Sequence, residues 1–171
     1  MRVIKIALAA GLFASNLAFA YDFKGIEVGA KTDLETLRSK LALECINDVT
    51  GPGFYCVGNT TIIERKAKLS VFLSHEYIVE NISVNFAPAI FDTVKAGLIE
   101  KFGKPESDKI QAIQNGMGAI FEQNTVSWGR DDDIMVLTKY RTKVTESELF
   151  IASKAAMAQA RKSVEKSKGD L

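Results

Sequence analysis

The residues best placed to do chemistry in this 171-residue chain are its two cysteines, Cys45 and Cys56. Gly51-Pro52-Gly53 lies between them and gives the chain a place to reverse. We therefore expect a disulfide that closes this loop and stabilises the fold by roughly 3 kcal/mol through chain entropy. A catalytic redox pair would have the shorter C-x-x-C spacing, and a thiolate metal site would need further ligands. The sequence therefore predicts a structural disulfide.

Little else in the sequence is typical of a catalyst. His75 is the only histidine, and the neighbouring Ser74 would point to the opposite face of a strand. Asp131, Asp132 and Asp133 are consecutive, whereas calcium loops space their ligands at alternate positions. We expect no metal and no cofactor. Two carboxylates able to hydrolyse a sugar polymer stay an open alternative, because their separation depends on the fold.

Four residues near the C-terminal end are of the types enriched at binding interfaces. Trp, Tyr and Arg dominate interface hot spots, and these four form the candidate binding face: Trp128, Arg130, Tyr140 and Arg141. The favoured interpretation of Trp128 is nevertheless that it fills the core. The other three would then form a polar rim around a binding face.

The first twenty residues are typical of a secretory signal peptide. Arg2 and Lys5 precede an apolar run at 6–14, and Ala18-Phe19-Ala20 then places small residues at −3 and −1 of a cleavage site. We expect cleavage after Ala20. The alternative is that the run is a buried helix of the fold. It is too short to cross a bilayer, which takes roughly 20 apolar residues.

The charge balance limits the kinds of partner. Removal of residues 1–20 would leave 151 residues with 20 basic and 21 acidic side chains, a net charge of −1. A protein that binds nucleic acid or anionic lipid would need a basic face. We therefore expect no nucleic-acid partner and no membrane anchor after cleavage. An even cysteine pair behind a signal peptide favours the periplasm, with secretion as the alternative.

Three segments have the residue pattern of helices, at about 33–44, 88–102 and 153–166. The first begins with the capping-box spacing of Thr32 and Glu35. The second is the clearest, because Pro88 suits a first helical turn and Gly103 offers a left-handed C-terminal end. The third is rich in alanine, which favours helix but adds little to a core, so we expect it to fray.

Short β-branched and apolar runs between the helices predict strands. Period-two alternation, clearest over 80–86, indicates one packed and one solvated face, as in an antiparallel meander. The predicted strands lie at 60–63, 67–73 and 77–86 in the first half, and at 119–121, 125–128, 134–138 and 149–151 in the second. Residues 106–116 are polar and poorly patterned, so we expect a loop there, and we expect His75 to lie in a turn.

An offset of 57 residues relates the two halves of the chain. It places 34–41 over 91–98, apolar on apolar and acid on acid, and it places Val71 over Trp128. This pattern indicates either a duplicated unit of one helix and a small meander, or a coincidence between two amphipathic helices. Two units would bury each other's apolar faces, and one alone is close to the lower size limit for a stable domain.

The pattern Gly25-Ile26-Glu27-Val28-Gly29 ahead of a capped helix, with Phe102-Gly103-Lys104-Pro105 after the second, resembles the β-lactamase-inhibitor-protein family. A related single unit occurs in a small outer-membrane-assembly lipoprotein, whose acylated cysteine this chain lacks. The inhibitor family has a helix pair per unit, and we expect one helix per unit here. The resemblance covers about residues 23–152. It implies a non-enzymatic module that binds proteins with the open face of a sheet, and it transfers no functional residue.

We therefore predict an α+β fold of two tandem helix-plus-antiparallel-meander units packed together, with a C-terminal helical tail. The expected division is a signal peptide at 1–20, an α+β domain at 21–152 with half-units at about 23–86 and 87–152, and a charged tail at 153–171. The expected function is binding or inhibition of another periplasmic protein. The alternatives are an immunity or exclusion factor against a toxin or phage product, and a carboxylate-dependent cell-wall hydrolase.

Overall fold

Ten strands, two α-helices between them and the start of a C-terminal helix follow one another in the computed structural model, which describes residues 21–47, 53–130, 132–159 and 162. The helices are α1 (Leu34–Leu41) and α2 (Phe91–Phe102). The strands are β1 (Asp22–Phe23), β2 (Ile26–Glu27), β3 (Glu44–Asn47), β4 (Gly53–Ile62), β5 (Arg65–Ser74), β6 (Val79–Phe86), β7 (Ser107–Gln114), β8 (Ile120–Gly129), β9 (Asp133–Thr138) and β10 (Ser147–Ser153). The predicted signal peptide and Gly51-Pro52 lie outside the described residues.

Eight of the strands form one antiparallel sheet in the order β3-β4-β5-β6-β10-β9-β8-β7, while β1 and β2 pair with each other. Each α-helix is therefore followed in the chain by four strands that are neighbours in the sheet. The two groups of four meet where β6 pairs with β10, with Val84 opposite Leu149. The mixed α and β class predicted from the sequence is confirmed.

The 57-residue offset fits the helices but not the strands. Both helices begin at positions that the offset relates, Leu34 and Phe91. The same offset places Val71 of β5 over Trp128 of β8, yet β5 is third from one edge of the sheet and β8 is second from the other. The strand part of the alignment therefore does not follow the order of strands in the sheet.

The sheet has two unlike faces because successive side chains of a strand point in opposite directions. One face, which we call the covered face, packs against α1, α2 and the N-terminal hairpin β1–β2. Its strand residues are almost entirely apolar and buried, and they include Leu69, Val71, Ile82, Val84, Val126, Trp128, Met135, Leu137, Leu149 and Ile151. The opposite face, which we call the open face, carries a mixture of polar and aromatic side chains, among them Tyr55, Phe72, Ser83, Asn85 and Phe150.

Asp33, rather than Thr32, begins α1. Its carboxylate accepts hydrogen bonds from the backbone N–H of Thr36 at 2.6 Å and from the Thr36 hydroxyl at 2.7 Å. These two bonds hold the pKa of Asp33 below its usual value. The helix ends at Leu41, earlier than predicted, because Ala42 adopts the left-handed conformation with φ of 52°. The predicted capping box is therefore wrong by one residue at its first position.

The second helix follows its prediction closely. Pro88–Ile90 forms a turn of 3₁₀ helix, and α2 continues from it to Phe102. Gly103 then has φ of 83° and ψ of −171°, a conformation essentially restricted to glycine, although it is not the left-handed helical conformation that was predicted. Phe91 and Val94 are the buried residues of α2, and they pack into the core with the covered face of the sheet.

The second half of the sheet differs from its prediction in two places. Residues 107–114 form the edge strand β7 rather than a loop, paired along their full length with β8. Sequence pattern missed β7 because nearly every residue in it is exposed, so neither face shows an apolar period. The strands predicted at 119–121 and 125–128 are one continuous strand, β8. The prediction divided it because polar residues lie in the middle, of which Gln123 and Asn124 are buried.

The disulfide between Cys45 and Cys56 is confirmed. The two residues are direct partners in the pairing of β3 with β4, which places the bond across the edge of the sheet. Residues 154–159 are helical, so a C-terminal helix begins where it was predicted, and most of its predicted remainder lies outside the described residues. His75 lies in the turn between β5 and β6, as predicted, and it is exposed.

Candidate functional site

A cavity of about 460 Å³ lies on the open face, over the middle of the sheet. Strands β4, β5, β6 and β10 form its floor, and the loop between β9 and β10 closes one side. The lining residues are Ile46, Tyr55, Ser70, Phe72, Asn81, Ser83, Asn85, Arg141, Glu148 and Phe150. This cavity is the candidate functional site because it combines buried polar groups with aromatic walls.

Strand pairing at the junction of the two half-sheets brings the polar groups of the floor together. Ser83 of β6 lies opposite Ser70 on one side and opposite Phe150 on the other. Asn85 lies opposite Glu148 of β10. Residues far apart in sequence therefore share one floor, and Ser83 and Glu148 are 65 positions apart.

A chain of hydrogen bonds runs across this floor to the Glu148 carboxylate. Ser83 Oγ donates to Glu148 Oε1 at 2.5 Å, and Arg141 Nη1 approaches the same oxygen at 2.5 Å. Because the single Ser83 proton goes to Glu148, Ser83 Oγ can only accept from Asn85, whose Nδ2 lies 3.4 Å away. That orientation turns Asn85 Oδ1 away from Ser83, and this buried oxygen has no hydrogen-bond partner among the described residues.

The Glu148–Arg141 pair is uneven in its exposure to solvent. The Glu148 side chain is 7% exposed, whereas that of Arg141 is 48% exposed. Arg141 comes from the loop between β9 and β10 and reaches over the cavity, while Glu148 is fixed in the middle strand of the sheet. The carboxylate is therefore a rigid part of the floor, and the guanidinium is a part of the rim.

Aromatic rings form two walls of the cavity. Tyr55 and Phe72 are cross-strand partners, and their ring centroids lie 4.7 Å apart. The Tyr55 hydroxyl and Ser70 Oγ are 3.0 Å apart and share a hydrogen bond, which holds the tyrosine ring against the floor. Phe150 forms the facing wall on β10. The cavity thus offers ring faces beside a buried carboxylate.

The acidic side chains of the described residues lie mostly outside the cavity. Of the described residues that line it, Glu148 is the only carboxylate. Lys95 and Asn124 hold the pKa of Asp108 below its usual value, and burial raises the pKa of Asp133, but neither carboxyl lines the cavity. Within the described ranges no group of three or more His, Cys, Asp or Glu residues is placed to hold a metal ion.

The four residues of the predicted binding face do not form one surface. Trp128 is buried on the covered face, and its indole Nε1 donates to the Gly103 carbonyl at 2.9 Å. Trp128 therefore fills the core, as the favoured interpretation of the sequence predicted, and is not part of a binding face. Arg130 lies over the rings of Tyr21 and Phe102, with centroid distances of 4.5 and 5.6 Å.

The remaining two residues lie near the open face, but only one reaches the cavity. The Tyr140 ring packs edge-on against Phe121 at 5.8 Å, and its backbone N–H and C=O pair with the side chain of Gln123. Arg141 contacts Glu148 directly. Of the predicted binding-face residues, Arg141 alone belongs to the candidate site.

Sequence reasoning missed the residues that carry the site, which are Tyr55, Ser83, Asn85, Glu148 and Phe150. One signal was available, since Asn81, Ser83 and Asn85 occupy alternate positions of a strand and so had to share its solvated face. No pattern in the sequence places β10 beside β6, and that pairing completes the floor.

A second cavity, of about 310 Å³, lies on the covered side between α2, β1 and the turn that joins β4 to β5. Its lining is largely apolar and includes Ile62, Val94, Leu98, Phe102 and Met135. The ion pair of Lys101 with Asp22, at 2.8 Å, lies at its edge. This cavity holds no polar network comparable with that of the open face.

Comparisons with protein-family models, with curated proteins and with solved structures found no significant match. Among the described residues, none of the helices is both long enough and apolar enough to cross a membrane. The geometry of the cavity and the sequence itself are therefore the observations that bear on function.

Proposed function

We propose that this is an exported, non-enzymatic protein that binds another protein through the open face of its sheet. The observation that carries the proposal is the cavity at the centre of that face, where a buried carboxylate and an unpartnered amide oxygen lie between aromatic rings. Buried acceptors without donors are uncommon in folded proteins and call for an explanation. A partner that supplies donors is the explanation favoured here.

The partner group that best fits the cavity is a lysine or arginine side chain. Glu148 offers a charged acceptor, and Asn85 Oδ1 offers a second acceptor that nothing in the described part of the chain satisfies. The rings of Tyr55, Phe72 and Phe150 offer faces, which attract cations. An ammonium or guanidinium bears several donors and a positive charge, so it would satisfy all three kinds of group.

Arg141 occupies the place that such a side chain would take. It already pairs with Glu148, but it is half-exposed and lies on a loop, so a partner's cation could displace it into solvent at small cost. In this proposal, Arg141 keeps the buried carboxylate neutralised until the partner binds. An isolated buried charge is costly, which gives the intramolecular pair its physical reason.

The rim of the open face adds a second requirement for the partner. Lys66 and Lys68 of β5 are exposed, and they alternate with Ser70 and so point to the same side as the cavity. Lys68 lies directly opposite Asn85 in the pairing of β5 with β6. A partner surface with acidic residues around one inserted basic side chain would complement both the rim and the floor.

Export to the periplasm is the setting that the proposal assumes. The Cys45–Cys56 disulfide persists in an oxidising compartment and is rare in the cytosol. The predicted signal peptide supplies the route. An immunity or exclusion factor would use the same face and would differ only in its partner.

We also propose that the chain contains two tandem units of one helix and one meander. In support, α1 and β3–β6 fall within the predicted half-unit 23–86, and α2 and β7–β9 fall within 87–152, as does all of β10 except its last residue. Each unit contributes four strands in consecutive order, and the fourth strands pair with each other. The cavity floor lies across this junction, so neither unit would form the site alone.

Short peptides test the chemistry of the cavity. The ¹⁵N-labelled chain 21–171 is titrated with three capped peptides, acetyl-Gly-Arg-Gly-amide, its Lys counterpart and its Glu counterpart. We expect the Arg and Lys peptides, but not the Glu peptide, to shift the amide resonances of Ser83, Asn85 and Phe150. Glu148→Gln should weaken Arg-peptide binding at least about tenfold, because a hydrogen bond to a charged group is lost.

Two further variants and two controls make the test decisive. Arg141→Met should strengthen Arg-peptide binding, because it removes the intramolecular competitor. Lys143→Met in the same loop and Glu122→Gln on β8 change exposed charges elsewhere and should leave binding unchanged. Arg141-dependent binding of the Glu peptide, or unshifted spectra with all three peptides, would overturn the proposal.

A further inference from the structure

The second cavity, on the covered side, reaches the sheet itself. It has a volume of about 310 Å³ and is lined by the buried strand residues Met135, Leu149 and Ile151. Helix α2 adds Val94 and Leu98 to the lining. Folded proteins are packed closely enough that few such gaps remain in them. The size and the apolar lining of this gap are typical of small-molecule sites, so it calls for an explanation.

Gly97 leaves space on the helix side of this cavity, which it lines. It lies within α2, where glycine is a poorer helix former than alanine. A Cβ atom on Gly97 would meet, outside its own helix, only the Cδ1 atom of Ile63 at 4.0 Å, which is ordinary van der Waals contact. Packing within the described part of the chain therefore does not require a glycine here. The space beside Gly97 is available to a ligand.

Ile63 is an unusual residue for the turn in which it lies. Ile62 pairs with Arg65, so Ile63 and Glu64 form a two-residue turn, with φ of 47° and 59°. Turns of this kind favour Asn-Gly, and a positive φ is strained for a β-branched residue. Ile63 is nevertheless 46% exposed and lines the cavity. An exposed isoleucine in a strained turn is explained if its side chain covers an apolar ligand.

The charged residues of the lining are two lysines and one aspartate, which gives a net charge of +1. The Lys101 ammonium pairs with the Asp22 carboxylate at 2.8 Å, so these two charges balance. The Lys24 ammonium donates to the uncharged Thr61 hydroxyl at 3.2 Å, and none of the ion pairs among the described residues includes it. An exposed cation therefore stands beside an apolar interior.

We propose that this cavity binds a free single-chain amphiphile with an anionic head, such as a medium-chain fatty acid. The alkyl chain lies against the apolar strand and helix residues, where it is removed from water. The carboxylate lies at Lys24, which fixes the direction in which the chain enters. The volume is at the lower end of the range for ligand sites, which suits one alkyl chain rather than two.

Eight-carbon probes that differ in head group test this proposal. The ¹⁵N-labelled chain 21–171 is titrated with octanoate, octanol and octyltrimethylammonium, each below its micellar concentration. We expect octanoate to shift the amide resonances of Ile63, Gly97 and Met135 and to bind more tightly than the other two. Butyrate, four methylenes shorter, should bind at least about tenfold more weakly, because each buried methylene contributes about fourfold in affinity.

Variants of the cavity assign the chain and the head group to their places. Gly97→Leu should abolish octanoate binding because its side chain fills the cavity, and Gly97→Ala should weaken binding while keeping a better helix former in α2. Lys24→Met should weaken octanoate binding up to about fivefold, the range for an exposed ion pair, and leave octanol binding unchanged. Lys104→Met, which changes an exposed lysine outside the cavity, is the matched control and should have no effect.

Three results would overturn the proposal. They are unshifted spectra with octanoate, equal affinity for octanoate and octanol, and octanoate binding by Gly97→Leu that matches the wild type. Sedimentation with phosphatidylglycerol vesicles in the absence of octanoate binding would also overturn it, because a lipid surface would then be the partner. The two cavities share no lining residue, so this titration and the peptide titration can fail separately.

Discussion

The two faces of the sheet use the same strands for opposite purposes. On β10, Leu149 and Ile151 point into the core, while Glu148 and Phe150, their immediate neighbours, line the cavity of the open face. A slip of one residue in the pairing of β6 with β10 would bury Glu148 in the core and expose the leucine and isoleucine. The apolar covered face therefore fixes the register that assembles the polar site on the other side.

The two faces also differ in what their contacts contribute to stability. The covered face buries aliphatic and aromatic side chains, each of which favours the folded state by roughly 1.5–3 kcal/mol. The Ser83–Glu148–Arg141 network gains little, because the loss of hydration of a buried carboxylate offsets most of its attraction to a guanidinium. The small net stabilisation expected of this network agrees with the role in binding proposed above.

The largest effect that would test this comparison comes from deleting one aromatic ring on each face. Phe91→Ala removes a fully buried ring that packs on the covered face and should lower the free energy of unfolding by about 3–5 kcal/mol. Phe150→Ala removes a half-buried ring of the cavity and should cost less than about 2 kcal/mol, since part of that ring already contacts water. Urea denaturation measures both, and equal losses would mean that the open face is core as well.

Removing the disulfide should change stability without changing binding. Replacing both Cys45 and Cys56 by alanine should cost about 3 kcal/mol, because the unfolded chain regains the entropy of the closed loop. The cysteines lie on the covered side, so binding of the Arg peptide to the cavity should be unchanged where the variant is folded. A loss of binding in the folded variant would show that the two faces are coupled through β4.

The smallest effect concerns an ion pair that joins α2 to the edge strand β7. Lys95 and Asp108 approach to 2.5 Å, and Asn124 Nδ2 donates to the same carboxylate at 2.7 Å, so the pKa of Asp108 lies below its usual value. A lowered pKa in the folded state means that the contribution is present above the pKa of the unfolded chain and is lost as the pH falls through the folded value.

Melting temperatures between pH 7 and pH 3 measure that contribution. Asp108→Asn should destabilise the protein by about 0.2–1 kcal/mol at pH 7, the range for a partly exposed ion pair, and by less at pH 3. Lys95→Met should likewise lose less stability than the wild type when the pH falls from 7 to 3. If the melting temperatures of both variants fall with pH as steeply as that of the wild type, the Lys95–Asp108 pair does not stabilise the contact between α2 and β7.

The covered face could largely be predicted from the sequence, because its residues carry local periodicity. The helix over 88–102, with Pro88 in its first turn and Gly103 just after its end, was predicted from one segment, and the structure has it there. The edge strand β7 could not be predicted in this way, because a strand exposed on both faces lacks an apolar period. Its identity as a strand depends on pairing with β8, which is a tertiary fact.

The site on the open face was beyond local patterns for a related reason. Asn85 and Glu148 become neighbours only through the pairing of β6 with β10, and no short motif encodes that pairing. Arg141 was found by residue type alone, and its role depends on the ion pair that it forms with Glu148 in the folded protein. Trp128 was placed in the core by pattern, but its hydrogen bond to Gly103 required the packed helix.

The position of β10 has a consequence for how the molecule assembles. The final strand of the sheet lies between β6 and β9. During synthesis, which starts at the N-terminus, β6 and β9 therefore each keep one unpaired edge until residues 147–153 have been made. Exposed edges of this kind invite pairing between molecules. Insertion of one late segment closes both edges at once, so a truncation before this segment should yield an aggregating chain rather than a smaller stable one.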